Sequence, residues 1–132
     1  MINDCNLVAK DNDINFFWNN KFPMNSLYLM RGYLLIDENL KNLYTDVMFD
    51  AYWKDNIDIL DDKNLIELIK KCKIDKNFFF DGIKQQKIKD ALKKNTEDAF
   101  QKNIFGAPTF VVNQKIFWGQ DRLGYALDEF NK

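Results

Sequence analysis

The sequence predicts an α/β chain in which a long helical stretch gives way, near residue 103, to a strand-turn-strand hairpin and one last helix. Three observations predict it. Apolar residues up to residue 102 recur at spacings of three and four, the period of an amphipathic helix. Thr109 to Val112 and Lys115 to Trp118 are short β-branched and aromatic runs separated by Asn113-Gln114, a two-residue turn. Gly119 then removes a side chain where the chain leaves the second run, and Asp121 stands in N-cap position ahead of Arg122 to Phe130.

In order along the chain, Asp4 to Lys10 forms one short helix or the tail of a longer one, and Ile14 to Trp18 an extended apolar segment. Lys21 to Ser26, with Pro23, breaks the pattern. Asn25 or Ser26 caps the next helix, whose Leu27, Met30, Leu34 and Leu35 are expected in the core. A helix from about Leu40 to Lys54 presents Leu43, Val47, Ala51 and Tyr52 on its buried side, widened by Phe49 and Trp53. Asp61 and Asp62 precede Leu65, Ile66, Leu68 and Ile69, acids at a helix start where the dipole favours them. Asp75 caps a helix carrying Phe78, Phe79 and Phe80. The longest polar-faced helix runs from about Lys84 to Lys102, with Ile88, Ala91, Leu92, Ala99 and Phe100 expected to be buried. No repeat or Pro/Gly/Ser linker interrupts the chain, so residues 1–132 read as a single unit.

Composition excludes several classes. A chain of 132 residues that is 46% hydrophobic and 15% aromatic has ample material for a core. Its net charge of -1, from 19 basic and 20 acidic residues spread along the chain, offers neither a footprint for nucleic acid nor a polybasic membrane anchor. There is no leader pattern and no apolar run long enough to span a bilayer, so no membrane partner and a cytoplasmic location are expected. Cys5 and Cys72 lie far apart and histidine is absent, which leaves no zinc site, no Cys-His or Ser-His nucleophile and no metal. The two cysteines are free thiols or one disulfide.

The chemistry concentrates in Asn103-Ile104-Phe105-Gly106-Ala107-Pro108 and in Gly119-Gln120-Asp121-Arg122. Proline lacks a backbone donor, so Pro108 fits the mouth of a strand and not its middle. The residues leave its isomer open. A cis Ala107-Pro108 bond would turn the N–H and C=O of Ala107 outward, toward an extended peptide-like ligand, whereas a plain hairpin needs no such role. The helix start after Gly119 offers N–H groups to a ligand carboxylate, and Asp121 either caps this helix or also accepts a ligand ammonium. Trp118 reads as packing on the sheet.

Residues Asn103 to Leu123, N-I-F-G-A-P-T-F-V-V-N-Q-K-I-F-W-G-Q-D-R-L, closely resemble the C-terminal signature of 2-hydroxychromene-2-carboxylate isomerases. With the kappa-class glutathione transferases, these belong to the DsbA-like branch of the thioredoxin superfamily. The likeness extends upstream to Phe22-Pro23-Met24-Asn25-Ser26-Leu27 with Met30-Arg31, and to Phe49-Asp50-Ala51-Tyr52-Trp53, so it covers about Asp4 to Phe130. It implies the C-terminal part of a DsbA-like thioredoxin fold, with a helical insertion subdomain at 24–102 and a β-β-α part at 103–132. The family's opening β-α-β segment, which carries the serine that stabilises the glutathione thiolate, has no counterpart here, and Ser26 is not that serine. The sheet is therefore expected to be incomplete, and no catalytic residue is assigned.

The resemblance also implies a cis bond at Pro108 and a glutathione site at Ala107, Pro108, Gln120 and Asp121. In that site the backbone of Ala107 meets the cysteinyl part, while Gln120 and Asp121 hold the γ-glutamyl end. The implied reaction is a glutathione-dependent cis-trans isomerisation of a hydroxychromene carboxylate to an open-chain benzylidenepyruvate by transient thiol addition. The implied partners are glutathione and a small aromatic carboxylate. A second copy of the chain, forming a homodimer, is expected to complete the exposed sheet. Two other classes stand beside this one. One is a non-catalytic helical interaction or dimerisation module that retains the signature. The other is a fragment of a glutathione transferase or of a DsbA-like oxidoreductase, which would need a C-x-x-C pair from outside these residues.

Overall fold

A computed structural model describes residues 1–132. The helices are α1 (Ile2–Asp11), α2 (Leu27–Leu35), α3 (Glu38–Trp53), α4 (Asp62–Lys71), α5 (Lys76–Gly82) and α6 (Gln86–Gln101). Then come β1 (Thr109–Val112), β2 (Lys115–Trp118), a 3-10 turn (Gln120–Arg122) and α7 (Leu123–Phe130). The chain forms two compact units, Met1–Leu92 and Lys93–Lys132.

In the first unit, acids ahead of apolar runs start helices by satisfying their first N–H groups. The Asp61 carboxylate accepts from Lys63 and Asn64 N–H at 3.0 and 3.1 Å, and that of Asp75 from Phe78 N–H at 2.8 Å. At α2 this role falls to Asn25, whose Oδ1 accepts from Leu27 N–H at 3.1 Å. Ser26 makes no side-chain cap bond.

The buried faces of α2 and α3 differ from the expected ones. Leu27 and Met30 are exposed, and the core side of α2 carries Leu29 and Gly32 instead. The reason is close packing at Gly32, where a Cβ would collide with the Phe79 ring and the Tyr44 hydroxyl. On α3 the buried set is Tyr44, Met48, Ala51 and Tyr52, while Leu43 and Phe49 face outward. With Ile59, Leu65, Leu68, Ile69, Cys72 and Phe79, these residues form one continuous apolar core.

Ile14 to Trp18 is extended without joining a sheet, and its role is to close the end of α3. The last carbonyls of a helix have no intrahelical donor. Here Phe17 N–H donates to Trp53 C=O at 2.5 Å, and Asn19 Nδ2 donates to the C=O groups of Tyr52 and Ile57 at 2.8 and 3.1 Å. Asn19 Oδ1 accepts from Lys21 N–H at 2.7 Å, so this 1% exposed amide is satisfied on both ends. Phe16, Trp18 and Phe22 surround the Trp53 ring at centroid distances of 5.7, 5.7 and 5.8 Å. The Phe22-Pro23 bond is cis.

In the second unit, the chain turns off α6 at Asn103, held at a left-handed φ of 58°, with Ile104 N–H donating to Ala99 C=O at 3.0 Å. Phe100, expected to be buried, is 75% exposed. β1 and β2 pair antiparallel with Thr109 opposite Trp118 and Val112 opposite Lys115. Asn113 and Gln114, at φ 49° and 64°, make the type I′ turn that a two-residue hairpin requires. α7 covers one face of this ribbon. Its Glu129, 8% exposed, accepts from Lys115 Nζ at 2.8 Å and Lys132 Nζ at 2.9 Å, and Asn113 Nδ2 donates to Glu129 C=O at 3.2 Å. Hydrogen bonds from Lys115, then Lys132, hold the Glu129 carboxyl down to about 2. The opposite face, with Val111, Ile116 and Trp118, is open to solvent.

Candidate functional site

The hairpin brings the two loops singled out in the sequence side by side. Gly119 N–H donates to Pro108 C=O at 3.0 Å, one step beyond the Thr109–Trp118 pair, so the ladder itself joins Ala107-Pro108 to Gly119-Gln120-Asp121. All four predicted site residues, Ala107, Pro108, Gln120 and Asp121, are exposed. The Ala107-Pro108 bond is cis. Neither the N–H nor the C=O of Ala107 has a partner in the chain. Thr109 Oγ1 donates to Gly106 C=O at 2.5 Å and ties the loop to the start of β1.

Gly119 sets the second loop. Its φ of 112° belongs to glycine, and a Cβ there would lie 2.5 Å from Asp121 Oδ1. Gly119 C=O then accepts from Arg122 N–H at 3.1 Å, closing a 3-10 turn before α7 begins at Leu123. This corrects the expectation that Asp121 caps the last helix. Asp121 lies inside the turn, the helix makes no side-chain cap bond, and the carboxylate folds back over Gly119. Its ion pair with Arg122 spans 3.5 Å between side chains 60% and 51% exposed, a geometry that contributes little and leaves the carboxylate open to other cations.

Trp118 stands on the solvent-open face of the two-stranded sheet. It is 53% exposed on the open face, its ring 5.0 Å from that of Phe105 and its indole edge against Gly106. The Arg122 guanidinium also lies 5.8 Å from the Tyr125 ring centroid; the sequence singled out its segment but gave Arg122 no role of its own.

The first unit holds a separate feature, an apolar cleft of ≈ 480 Å³ between α2 and α3, lined among others by Met30, Tyr33, Met48, Phe49 and Trp53. Its lining includes Tyr52, whose hydroxyl is buried without a hydrogen-bond partner. Cys5 and Cys72 are both free, and burial pushes the Cys72 thiol up to about 11, which keeps it protonated and unreactive. No His, Cys, Asp and Glu side chains gather closely enough to hold a metal ion, and no helix is long and apolar enough to cross a membrane.

Comparison with known proteins places this geometry in a family, because residues 1–130 match the DsbA-like thioredoxin domain. The chain belongs to the DsbA-like thioredoxin domain family. Within this family it is similar to the 2-hydroxychromene-2-carboxylate isomerase of Pseudomonas sp. (strain C18), 32% identical over 81 residues, 61% of this chain and 38% of that protein. The enzyme of the same name from Sphingobium xenophagum is 26% identical over 82 residues, 62% of this chain and 42% of its own length. A solved structure of a selenomethionine 2-hydroxychromene-2-carboxylate isomerase superposes with a TM-score of 0.84 at 21% identity, covering 97% of this chain and 63% of that one. This last likeness establishes the DsbA-like fold, here mostly helical with a two-stranded sheet that does not close. The matched stretches span 38% and 42% of the two named relatives' lengths.

Proposed function

We propose that these residues hold glutathione for an isomerisation of the 2-hydroxychromene-2-carboxylate type, at Ala107, Pro108, Gln120 and Asp121. One observation carries the reading. The Gly119–Pro108 hydrogen bond sets an unpaired backbone donor and acceptor at Ala107 beside an exposed carboxylate at Asp121. Glutathione offers the complementary set, a peptide backbone with an ammonium and a carboxylate at its γ-glutamyl end.

In this reading Ala107 pairs with the cysteinyl backbone, as an added strand does. The N–H groups of Gln120 and Asp121, at the head of the 3-10 turn, meet the γ-glutamyl carboxylate, and Asp121 accepts from its ammonium. When bound, glutathione supplies a thiol that adds transiently to a conjugated double bond and leaves after rotation about the resulting single bond. The chain's part is to orient that thiol. No side chain here is assigned to lower its pKa, since Ser26 sits beside α2 and the Cys72 thiol is itself held protonated. The substrate class in this reading is a small aromatic carboxylate, with the reduced glutathione of the cytoplasm as the source of thiol.

Calorimetric titration with glutathione tests the reading. Binding is expected in the wild type, weakened about tenfold in Asp121→Ala, the lower end of the range for a charge-assisted contact because this carboxylate is exposed. No binding at millimolar glutathione, or an unchanged affinity in the variant, contradicts it.

A further inference from the structure

A second cleft of the first unit, bordered by α2, α4 and α5, follows from how closely α5 seats on α2. A Cβ at Gly82 would collide with the Leu35 side chain and one at Gly32 with the Phe79 ring, so α5 is drawn in with Phe79 fully buried. Successive residues of a helix point about 100° apart, which turns Phe80 out of the core. There it joins Leu60, Leu65, Ile66 and Ile83 in lining a cleft of ≈ 580 Å³. Sites for small molecules occupy roughly 300–1,000 Å³. Every residue of this lining belongs to the first unit.

The polar groups of the cleft are unpaired. Lys76, Lys84 and Asp62 all line it, yet no side chain of the three forms an ion pair or a hydrogen bond within the chain. The Asn77 amide has no partner either, and Asn25, which accepts from Leu27 N–H through Oδ1, keeps its Nδ2 donors free. A further cation stands close by. The Arg31 guanidinium lies 5.9 Å from the ring centroid of Tyr28, a residue of the lining, and its Nε is buried without a hydrogen-bond partner. Cations and N–H donors thus outnumber the single carboxylate of the lining, above a floor of aliphatic and aromatic side chains.

We infer that this cleft binds a small amphipathic organic acid, with its hydrocarbon part on Leu65, Ile66, Phe80 and Ile83 and its carboxylate at Lys76 and Lys84. The division of labour is that of small-molecule sites in general, where apolar walls supply contact area and a few polar groups fix orientation. Lysine ammonium groups and amide N–H groups are all donors, and a carboxylate is the complementary acceptor. Asp62 sets a like charge in the same cleft, so it disfavours a second acidic group on the ligand and keeps the affinity modest. Glutathione lacks the hydrocarbon body this cleft fits, and the assignment is independent of the loops at Ala107 and Asp121.

Titration of octanoate into the isotopically labelled chain, with octanamide as its uncharged analogue, tests the inference through the amide resonances. Saturable shifts are expected at Leu65, Ile66, Asn77, Phe80 and Ile83, with octanamide binding there several-fold more weakly. Lys76→Gln combined with Lys84→Gln changes two exposed side chains and leaves the core intact. That double variant is expected to weaken octanoate by about fivefold to tenfold and to leave octanamide unchanged. Asp62→Asn should tighten octanoate by removing the like charge. The wild-type shifts and the comparison of acid with amide keep the inference falsifiable should the double variant fail to fold. Octanoate shifts confined to other apolar surfaces, equal affinity for acid and amide, or an unchanged octanoate affinity in the double variant overturns the inference.

Discussion

Replacing Asn19 by alanine removes a side chain that nothing else in the first unit can substitute. Its amide makes three hydrogen bonds across 33 or more residues or within its own turn, to Tyr52 C=O at 2.8 Å, to Ile57 C=O at 3.1 Å and from Lys21 N–H at 2.7 Å. Each such bond contributes about 0.5–1.5 kcal/mol net, and a buried group left without a partner costs about 1–3 kcal/mol. At 1% exposure there is no water to take over, so Asn19→Ala should lose about 3–4 kcal/mol. That is a large part of the total stability of a domain, about 5–15 kcal/mol. Urea unfolding read by Trp18 and Trp53 fluorescence, in a Trp118→Phe background so that the second unit is silent, measures the loss. Asn19→Asp separates hydrogen bonding from volume. It keeps the acceptor for Lys21 but sets an anion against two carbonyl oxygens, so it should be more stable at acid pH, where the protonated acid can donate, than at neutral pH. A loss below about 1 kcal/mol for Asn19→Ala, at an unchanged urea dependence, refutes the assignment of Asn19 as the closure of α3.

Other expectations follow from the same contacts. The Glu129 carboxyl is held down to about 2 from an ordinary 4.5, so its contribution is complete above about 4.5 and is lost as pH falls toward 2. Thermal melts at descending pH should show that loss for the wild type, and Glu129→Gln should flatten it. A thiol reagent in native buffer should label half-exposed Cys5 and spare Cys72 until denaturant is added, and early labelling of Cys72 would contradict its burial. Gln114 holds φ 64° at the turn position that favours glycine, and Gln114→Gly should stabilise the hairpin by up to about 1 kcal/mol in urea unfolding. Lys73, at φ 60° after α4, should respond to glycine in the same direction.

Much of the fold was legible because local chemistry and tertiary position agree. Asp61 and Asp75 announce helix starts by residue type alone, and the Asn113-Gln114 turn is fixed by the two β-rich runs beside it. The faces of α2 and α3 were not legible. A count of apolar residues favours Leu27 and Met30, whereas the packed face of α2 runs through Gly32, a residue that scores as no side chain and works as a seat for Phe79. Asn19 was overlooked for a related reason, since a polar residue in a loop gives no sign that three distant backbone groups will converge on it. At the candidate site the residues were visible and their geometry was not. Nothing in Gly-Gln-Asp-Arg distinguishes a capping aspartate from one inside a 3-10 turn, and it is the φ of Gly119 that decides. The exposure of Trp118 and Phe105 likewise depends on which face of the ribbon α7 covers.

The proposed glutathione site lies where the two loops meet. Titration of glutathione into the isotopically labelled chain, followed residue by residue through its amide resonances, tests this most directly. Saturable shifts are expected at Ala107, Gly119, Gln120 and Asp121, with the amides around the α2–α3 cleft unmoved. Saturation with shifts confined to the helical unit, or no shift at millimolar glutathione, would contradict it.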